Sequence, residues 1–455
     1  MIRTSMLATA TMLALGLTSN AYAAGRPDLV KRDLQRGVEY AAGQIIVQYK
    51  AFATDKDQIR VQGLLQGKRM EVLGKRGGKF NGDVVLISVP TTGTMQSRID
   101  KVLQDPSVEI AEPNWLVRTA VVSNDPGFTQ GDLWGMYGEN TTPANVYGSG
   151  AAAAWAAHGA NGANCSSVVV GIIDEGMMIT HPDLAANVYK NPGEIVGNGR
   201  DDDANGLIDD IYGWDFANND NTVFDGAGDD HGTHVAGTIG GVGGNALGVA
   251  GVCWNVKLMS AKFLGNRGGT TSNAIKAVDY FTNLKAKGVP VVATNNSWGG
   301  GGYSALLEQA IERANAQGIL FIAAAGNGSR DNDAQPNWPS SYPNDNVISV
   351  AALDGSGNLA WYSQWGATSV DLGAPGSRVL STVPTTQKGK VVPGYAFYDG
   401  TSMATPHVAG AAALYKSYNP SATMAQIKAA LLDGTPTESL QGKVATGDRL
   451  DVSGW

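Results

Sequence analysis

Three short stretches put acid–base and nucleophilic side chains where apolar segments end or begin. "VVVGIID", residues 168–174, closes on the carboxylate of Asp174; "DDHGTHVAGTIGG", 229–241, sets His231 and His234 at the glycine-punctuated start of an apolar helix; "DGTSMATPHVAG", 399–410, sets Ser402 where a glycine turn enters an Ala-rich helix. An alcohol is a weak nucleophile at neutral pH. It reacts when an adjacent base takes its proton, and the base in turn needs an orienting acid. Asp174, His231 and Ser402 supply those roles. Singly, each has a plainer reading: Asp174 ends a turn, Ser402 caps its helix, and two histidines three apart share a metal. No HExxH sequence or cysteine cluster supports the metal, so one histidine as base and the other packed is the economical assignment. Ser402 also sits among helix-start amides that favour negative charge, and Pro406 in the first turn costs at most one intrahelical bond. Cap and nucleophile are therefore compatible.

The chain order acid, base, alcohol is that of subtilisins, not of chymotrypsins or α/β-hydrolases. "VVVGIIDEGMMITHPDL", "DDHGTHVAGT", "AAAGNGS" and "DGTSMATPHVAG" together resemble the signature segments of subtilisin-like serine proteases, over about residues 125 to 455. The resemblance implies Asp174 as orienting acid, His231 as general base and Ser402 as nucleophile. It implies Asn327 as the side chain that joins the Ser402 amide in an oxyanion hole, and structural roles for His234 and His407. "NNSWGG" is similar to the family's substrate-binding edge, with Ser297, Trp298, Gly299 and Gly300 offering bare backbone to an extended peptide. Ala324, Ala325 and Gly326 would form the other wall of the first specificity pocket, with Asn337 and Trp338 near its base. A family-type calcium site would use Asp125, Asp183 and Asn245, although the loop around Asn245 is one residue longer than the common form. Residues 43–118 resemble the family's inhibitory propeptide.

"DDDANGLIDD", 201–210, places Asp201, Asp203 and Asn205 at alternate positions before the sharp turn at Gly206. This spacing is that of a calcium loop, except that Tyr212 stands where a bidentate Glu would be. Asp209 or Asp210 would replace that ligand, with Glu194 as a further candidate. The plain alternative is a solvated acidic turn, which the mutual repulsion of so many carboxylates disfavours. No Lys or Arg lies between Asp201 and Tyr212 to balance them.

The elements that must position these groups follow from the apolar pattern. "SSVVVGIID", "VKLMSAKFL", "VPVVATNNS", "GILFIAAAGN" and "NVISVAAL" are continuous apolar runs of the kind found in parallel strands covered on both faces. Helices are expected near 231–240, 271–287, 304–317, 402–418 and 423–433. The fold class is thus α/β, a mostly parallel sheet with helices on both faces. A small α+β unit precedes it, built on "QIIVQY", "DVVLISV", "MQSRIDKVLQD" and "VEIAEPNWLV". At 455 residues, 43% hydrophobic and 16% charged, the chain is globular and too long for one ordinary core. Arg3, the apolar "LATATMLALGL" and the small-residue exit "AYAA" read as a secretory signal peptide cleaved near Ala23 or Ala24. The expected domains are 1–23 signal, 24–122 propeptide and 123–455 catalytic. Export to an oxidising compartment would let Cys165 and Cys253, the only cysteines, form a disulfide; two separate buried thiols are the alternative.

Residues 24–120 carry 15 basic against 11 acidic side chains and 121–455 carry 17 against 30. A basic front segment and an acidic body would attract each other, and overall acidity argues against nucleic acid as a partner. No later apolar run reaches membrane-spanning length free of Gly, Ser, Asn or charge. The resulting expectation is a secreted, calcium-stabilised, monomeric serine endopeptidase that cuts protein or peptide substrates and is held inactive by its own propeptide. Two other classes stay open: a non-catalytic calcium-dependent binding protein of the same fold, and another serine hydrolase, which the missing GxSxG elbow disfavours.

Overall fold

The computed structural model describes residues 26–455 apart from 36, 37, 39, 78–81, 117–121, 160, 161 and 266. The proposed signal peptide lies outside the described residues. The chain divides into two compact units, up to residue 117 and from 118 onward.

In the first unit, α1 (Pro27–Gln35), β1 (Tyr40–Tyr49), α2 (Asp55–Leu65), β2 (Lys68–Gly74), β3 (Val84–Ser88), α3 (Met95–Leu103) and β4 (Val108–Trp115) build an antiparallel sheet in the order β2-β3-β1-β4. The alternation of β1 sends Ile45, Val47 and Tyr49 to one face, where they meet Val61 and Leu65 of α2 and Ile99 and Val102 of α3. Thr54 starts α2 with a capping box closed by Asp57, satisfying amides the helix cannot.

The second unit runs through α4 (Pro126–Thr129), α5 (Ala151–Ala157), β5 (Val169–Asp174), β6 (Gly213–Asp215), α6 (Asp230–Gly240), β7 (Lys257–Lys262), α7 (Thr271–Ala286), β8 (Val291–Asn296), α8 (Ala305–Ala316), β9 (Leu320–Ala324), β10 (Val347–Leu353), β11 (Leu372–Pro375), β12 (Val379–Gln387), β13 (Lys390–Tyr398), α9 (Thr401–Tyr418), α10 (Met424–Leu432), β14 (Thr435–Pro436) and β15 (Asp448–Arg449). Nine strands form one sheet, β14-β15-β11-β10-β9-β8-β5-β7-β6, parallel except for the β14–β15 pair. β5, β8, β9 and β10 are buried along their whole length, including the polar Thr294, Asn295 and Asn296 at the end of β8. Their faces belong to two cores. One contains Val170, Ile172, Ile322 and Val350 with α6 and α9, and the other contains Val169, Ile173 and Phe321 with α7 and α8.

The apolar runs expected as strands and the five expected helices are all present. The antiparallel ribbon β12–β13 was not anticipated; its strands mix Pro, Gly, Lys and Thr with apolar residues and lie on the body instead of in the sheet. Cys165 and Cys253 precede β5 and β7, and the disulfide between them bridges Cα atoms 5.9 Å apart.

Gly171 in β5 is a close-approach glycine: a methyl there would lie 2.6–2.8 Å from three ring atoms of Phe281 on α7. Gly171→Ala is expected to lower stability by ~1–3 kcal/mol through overpacking. The denaturant midpoint measures this, and Phe281→Leu in the same chain should restore part of the loss.

Candidate active site

The chain enters β5, continues to β7 on one side, then returns to build β8 to β11 on the other. β5 is therefore the point at which strand order reverses, and the carboxyl ends around such a point form a crevice. Asp174 ends β5. Its carboxylate is fully buried, and Oδ1 accepts from the Glu175 amide at 2.8 Å and from His231 Nδ1 at 2.9 Å. Burial disfavours the imidazolium, but Asp174, through charge and hydrogen bond, then Glu175 and Asp230, outweigh it and hold the His231 pKa above its ordinary value. Glu175 itself is pushed up to about 7, first by burial and then by Asp174.

His231 opens α6 and Ser402 opens α9, and both helices start from the carboxyl edge of the sheet. They pack together: Gly410 lies against the Ile239 carbonyl, equally far along each helix from Ser402 and His231. The N-cap of α9 is Gly400, and no side chain caps it, so the capping role considered for Ser402 is not used. Instead Ser402 Oγ donates to the Ser297 carbonyl at 3.1 Å while Ser297 Oγ donates to the Ser402 carbonyl at 2.8 Å. This reciprocal pair ties the start of α9 to the end of β8. Ser402 Oγ thus bonds Ser297 and not the imidazole; contacts between nucleophile and base often tighten only when substrate binds.

Asn327 follows β9. Its Oδ1 accepts from the amide and the hydroxyl of Thr401, each at 2.9 Å, which aims Nδ2 the other way. A methyl built on Gly400 would lie 3.5 Å from both Asn327 Nδ2 and the Ser402 amide. Two N–H donors therefore flank one small space, the arrangement that stabilises an oxyanion.

A pocket of about 220 Å³ adjoins them, lined by Ser297, Trp298, Gly299, Gly300, Ala324, Gly326, Asn327, Asn337, Gln364, Thr401 and Ser402. Ala325 is the exception among the expected wall residues: it is fully buried against Ala351, Leu353 and Val370, because successive residues of an extended segment point to opposite sides. Asn337 lines the pocket as expected. Trp338 turns its ring onto Tyr303 and Tyr342. Sequence reasoning missed Thr401 and Gln364. Thr401 had a signal, its place beside Ser402, whereas Gln364 enters from a distant loop and fills the space a methyl on Gly326 would need. A larger cavity of about 310 Å³ between the 205–219 loop and α7 shares none of these residues.

His234 and His407 are packed and hydrogen-bonded to backbone carbonyls. His234 Nε2 lies 2.9 Å from the Val379 carbonyl, its ring stacks on Tyr398, and burial pushes its pKa down to about 3. His407 Nδ1 lies 2.9 Å from the Met403 carbonyl, and burial pushes its pKa down to about 4.

Among the described residues, Glu194, Asp203 and Asp210 bring carboxylate oxygens within 4.8 Å of one another. Asp210 is buried and pushed up to about 6, chiefly by that burial; it accepts from Tyr280 OH at 2.6 Å and Asn205 Nδ2 at 3.1 Å. Three hard oxygen donors so placed suit calcium. Asp201 and Asp209 stand aside, their oxygens taken by the amides of Asn205 and Gly206 and of Asn198 and Gly199. The counter-charge missing from the local sequence comes from α7, where Lys287 Nζ lies just beyond the helix end, 3.1 Å from Asp203. Asp125, Asp183 and Asn245 also meet, but as a hydrogen-bond network: Asp125 accepts from Ser123 Oγ and the Gly244 and Asn245 amides, and Asp183 accepts from Val249 N and Asn245 Nδ2. Asn245 turns its N–H side to Asp183, as Asn205 does to Asp210.

A family model described as the subtilase family matches residues 166–449, and one described as the fervidolysin N-terminal prodomain matches 30–114. The chain is 35% identical over 360 residues to an extracellular protease of Xanthomonas campestris pv. campestris, covering 75% of this chain and 57% of that protein. It is 35% identical over 286 residues to thermitase of Thermoactinomyces vulgaris, covering 61% and 87%. A solved protease structure from Pseudoalteromonas arctica superposes with a TM-score of 0.58 at 29% identity, covering 73% of this chain and 98% of that one. The fold and site define a parallel α/β protein with a buried Asp–His pair and a serine-lined pocket at the carboxyl edge of its sheet. The chain belongs to the subtilase family and carries a prodomain-like unit ahead of the family domain. It spans little more than half the length of the Xanthomonas relative.

Thr401→Val removes the hydroxyl that orients Asn327 and leaves the backbone contact in place. Peptide hydrolysis is expected to lose about tenfold in kcat with little change in KM. Asn327→Ala should lose about 100-fold, the lower end of what one oxyanion donor is worth in a subtilisin.

Proposed function

We propose that the protein is a secreted serine endopeptidase made as a self-processing, calcium-stabilised proenzyme. The observation that carries this reading is the buried Asp174–His231 contact, set at the same sheet edge as a pocket that ends on Ser402 and Asn327. Ser402 Oγ attacks the scissile carbonyl as His231 Nε2 takes its proton, and the oxyanion forms between Asn327 Nδ2 and the Ser402 amide. His231 then protonates the leaving amine, and water, activated by the same imidazole, releases the acyl group from Ser402. Ser297, Trp298, Gly299 and Gly300 hold the peptide backbone on one side of the pocket and Ala324 and Gly326 on the other.

Residues 24–122 are read as the propeptide, which assists folding and inhibits until removed. The matching prodomain model and the opposite charge of the two segments support this. The name of the Xanthomonas relative, an extracellular protease, and the leader-like N-terminus support secretion. No helix of the described residues is long and apolar enough to cross a membrane. A calcium-dependent binding protein would have no use for the oriented Asn327 and the buried Asp174–His231 pair together.

Ser402→Ala is expected to abolish casein hydrolysis and fluorophosphonate labelling and to leave the chain as the uncut proform. Equal labelling of both proteins would remove Ser402 from its role, and maturation of purified Ser402→Ala with no other protease present would exclude self-processing.

Calcium would be held by Glu194, Asp203 and Asp210, with Asn205 beside them. Asp210 gives this a pH signature. Its folded pKa, about 6, lies above the ordinary 3.8, so its contribution to stability is present at low pH and lost as pH rises through about 6. In EDTA the melting temperature should therefore fall over that range, and calcium should abolish the fall. A hundredfold excess of calcium over its Kd would add ~2.7 kcal/mol. Asp210→Asn should melt higher than wild type in EDTA at pH 7 and respond little to calcium. An unchanged response in Asp203→Ala/Asp210→Asn would place the ion elsewhere.

A further inference from the structure

The start of α6 lacks a cap of its own. Asp229 stands at the N-cap, yet no side-chain bond runs from it into the helix. Its Oδ1 lies 2.6 Å from Lys262 Nζ, and its Oδ2 accepts from the Asp225 amide at 2.5 Å. The first amides of a helix need an acceptor from outside. The one at His231 receives it from the neighbouring strand: Glu175 Oε1 lies 2.6 Å from His231 N. The residue before Glu175 is Asp174, whose Oδ1 accepts from the His231 ring and also from the Glu175 amide. The Glu175 carbonyl is bonded by Lys262 Nζ, and Lys262 is the residue paired with Asp174 across β5 and β7.

We propose that Glu175 is a positioning residue for His231: two adjacent carboxylates at the end of one strand grip the same histidine, Asp174 by its ring and Glu175 by its backbone amide. The inference rests on reading His231 as the general base. Its consequence is that the imidazole is registered to the sheet at two points, whereas an ordinary cap would have registered it only to its own helix. A strand and a helix packed by apolar side chains can slide by fractions of an ångström, and such displacements matter to catalysis.

The grip is also charged. Asp174 and the partly buried Glu175 itself come from the end of β5, Asp230 from α6, and Lys262 from β7, its ammonium shared with Asp229 and with Asp225 at 3.4 Å. From β13, the Tyr398 hydroxyl bonds Asp230, and His234, stacked on that tyrosine, is held neutral by burial. When ionised, Glu175 favours the imidazolium as Asp174 does, and its own raised pKa puts that ionisation near neutrality.

The test separates charge from grip. Glu175→Gln keeps an acceptor oxygen at the His231 amide and deletes the charge, so the imidazolium loses a stabilising neighbour. The acid limb of kcat/KM, which rises with pH as His231 loses its proton, should move to lower pH by roughly half a unit or more, with plateau kcat within about threefold of wild type. Glu175→Ala removes both and should in addition lower plateau kcat by about tenfold or more. The same comparison is made by NMR titration of the His231 imidazole in Ser402→Ala protein, which needs no activity. A lowered His231 pKa in Ser402→Ala/Glu175→Gln, with an unchanged melting temperature, supports the charge of Glu175 at His231, and a Glu175→Ala plateau below that of Glu175→Gln supports the grip. An unchanged pKa, or a Glu175→Ala plateau equal to that of Glu175→Gln, overturns it. If wild type neither hydrolyses peptide nor reacts with fluorophosphonate while the NMR shift is present, the protease reading fails and the coupling of Glu175 to His231 stands.

Discussion

A carboxylate buried at the end of a central parallel strand is the constraint around which this molecule is arranged. Asp174 is withdrawn from bulk solvent, and a charge in that position persists only when charge or hydrogen bonds compensate it. Its oxygen finds the His231 ring and the Glu175 amide, and both come from what the topology brings to β5: the next residue of the strand and the first turn of α6. Strand order reverses at β5, which opens the crevice in which a polar centre can sit on an otherwise apolar sheet.

The remaining polar groups of the centre are held in the same way, by contacts between the ends of elements. Ser297, beyond β8, exchanges hydrogen bonds with Ser402, and Asn327, beyond β9, is turned by Thr401. Loops carry these groups, yet each is fastened to the rigid end of a strand or helix. Bare backbone at Gly299, Gly300 and Gly326 completes the pocket, and the Gln364 amide takes the volume that a larger residue at 326 would occupy.

Away from the centre, the acidic loop shows how burial and charge set one another. Asp210 lies under Tyr280 and is pushed towards its neutral form, whereas Asp203, nearer solvent, gains Lys287. The network of Asp125, Asp183 and Asn245 is satisfied by amide and hydroxyl donors alone. Two carboxylate groups that look alike in sequence thus differ in arrangement: Glu194, Asp203 and Asp210 bring three carboxylates within 4.8 Å of one another, whereas Asp125 and Asp183 are bridged by Asn245.

The sequence by itself determined five strands and five helices of the body, because buried parallel strands are rich in apolar residues and a helix start needs its own punctuation; the short strands β6, β11, β14 and β15 and the helices α4 and α5 were not read from it. It also determined which side chains could form a relay, since acid, base and alcohol each sat at the end or start of such a segment. The ribbon β12–β13 was not legible, for one strand is mostly buried and the other is not, and together they carry Pro, Gly, Thr and Lys. The burial of Ala325 was not legible either: three small residues in a row look alike until a backbone direction assigns them to sides. Only the tertiary structure decided that Gly400 and not Ser402 caps α9, that Thr401 orients Asn327, that Lys287 reaches Asp203, and that Glu175 caps the helix of His231. The last three depend on two residues distant in the chain meeting at a particular distance and angle. Composition and local spacing report which elements form, and carry no information about which of their ends will touch.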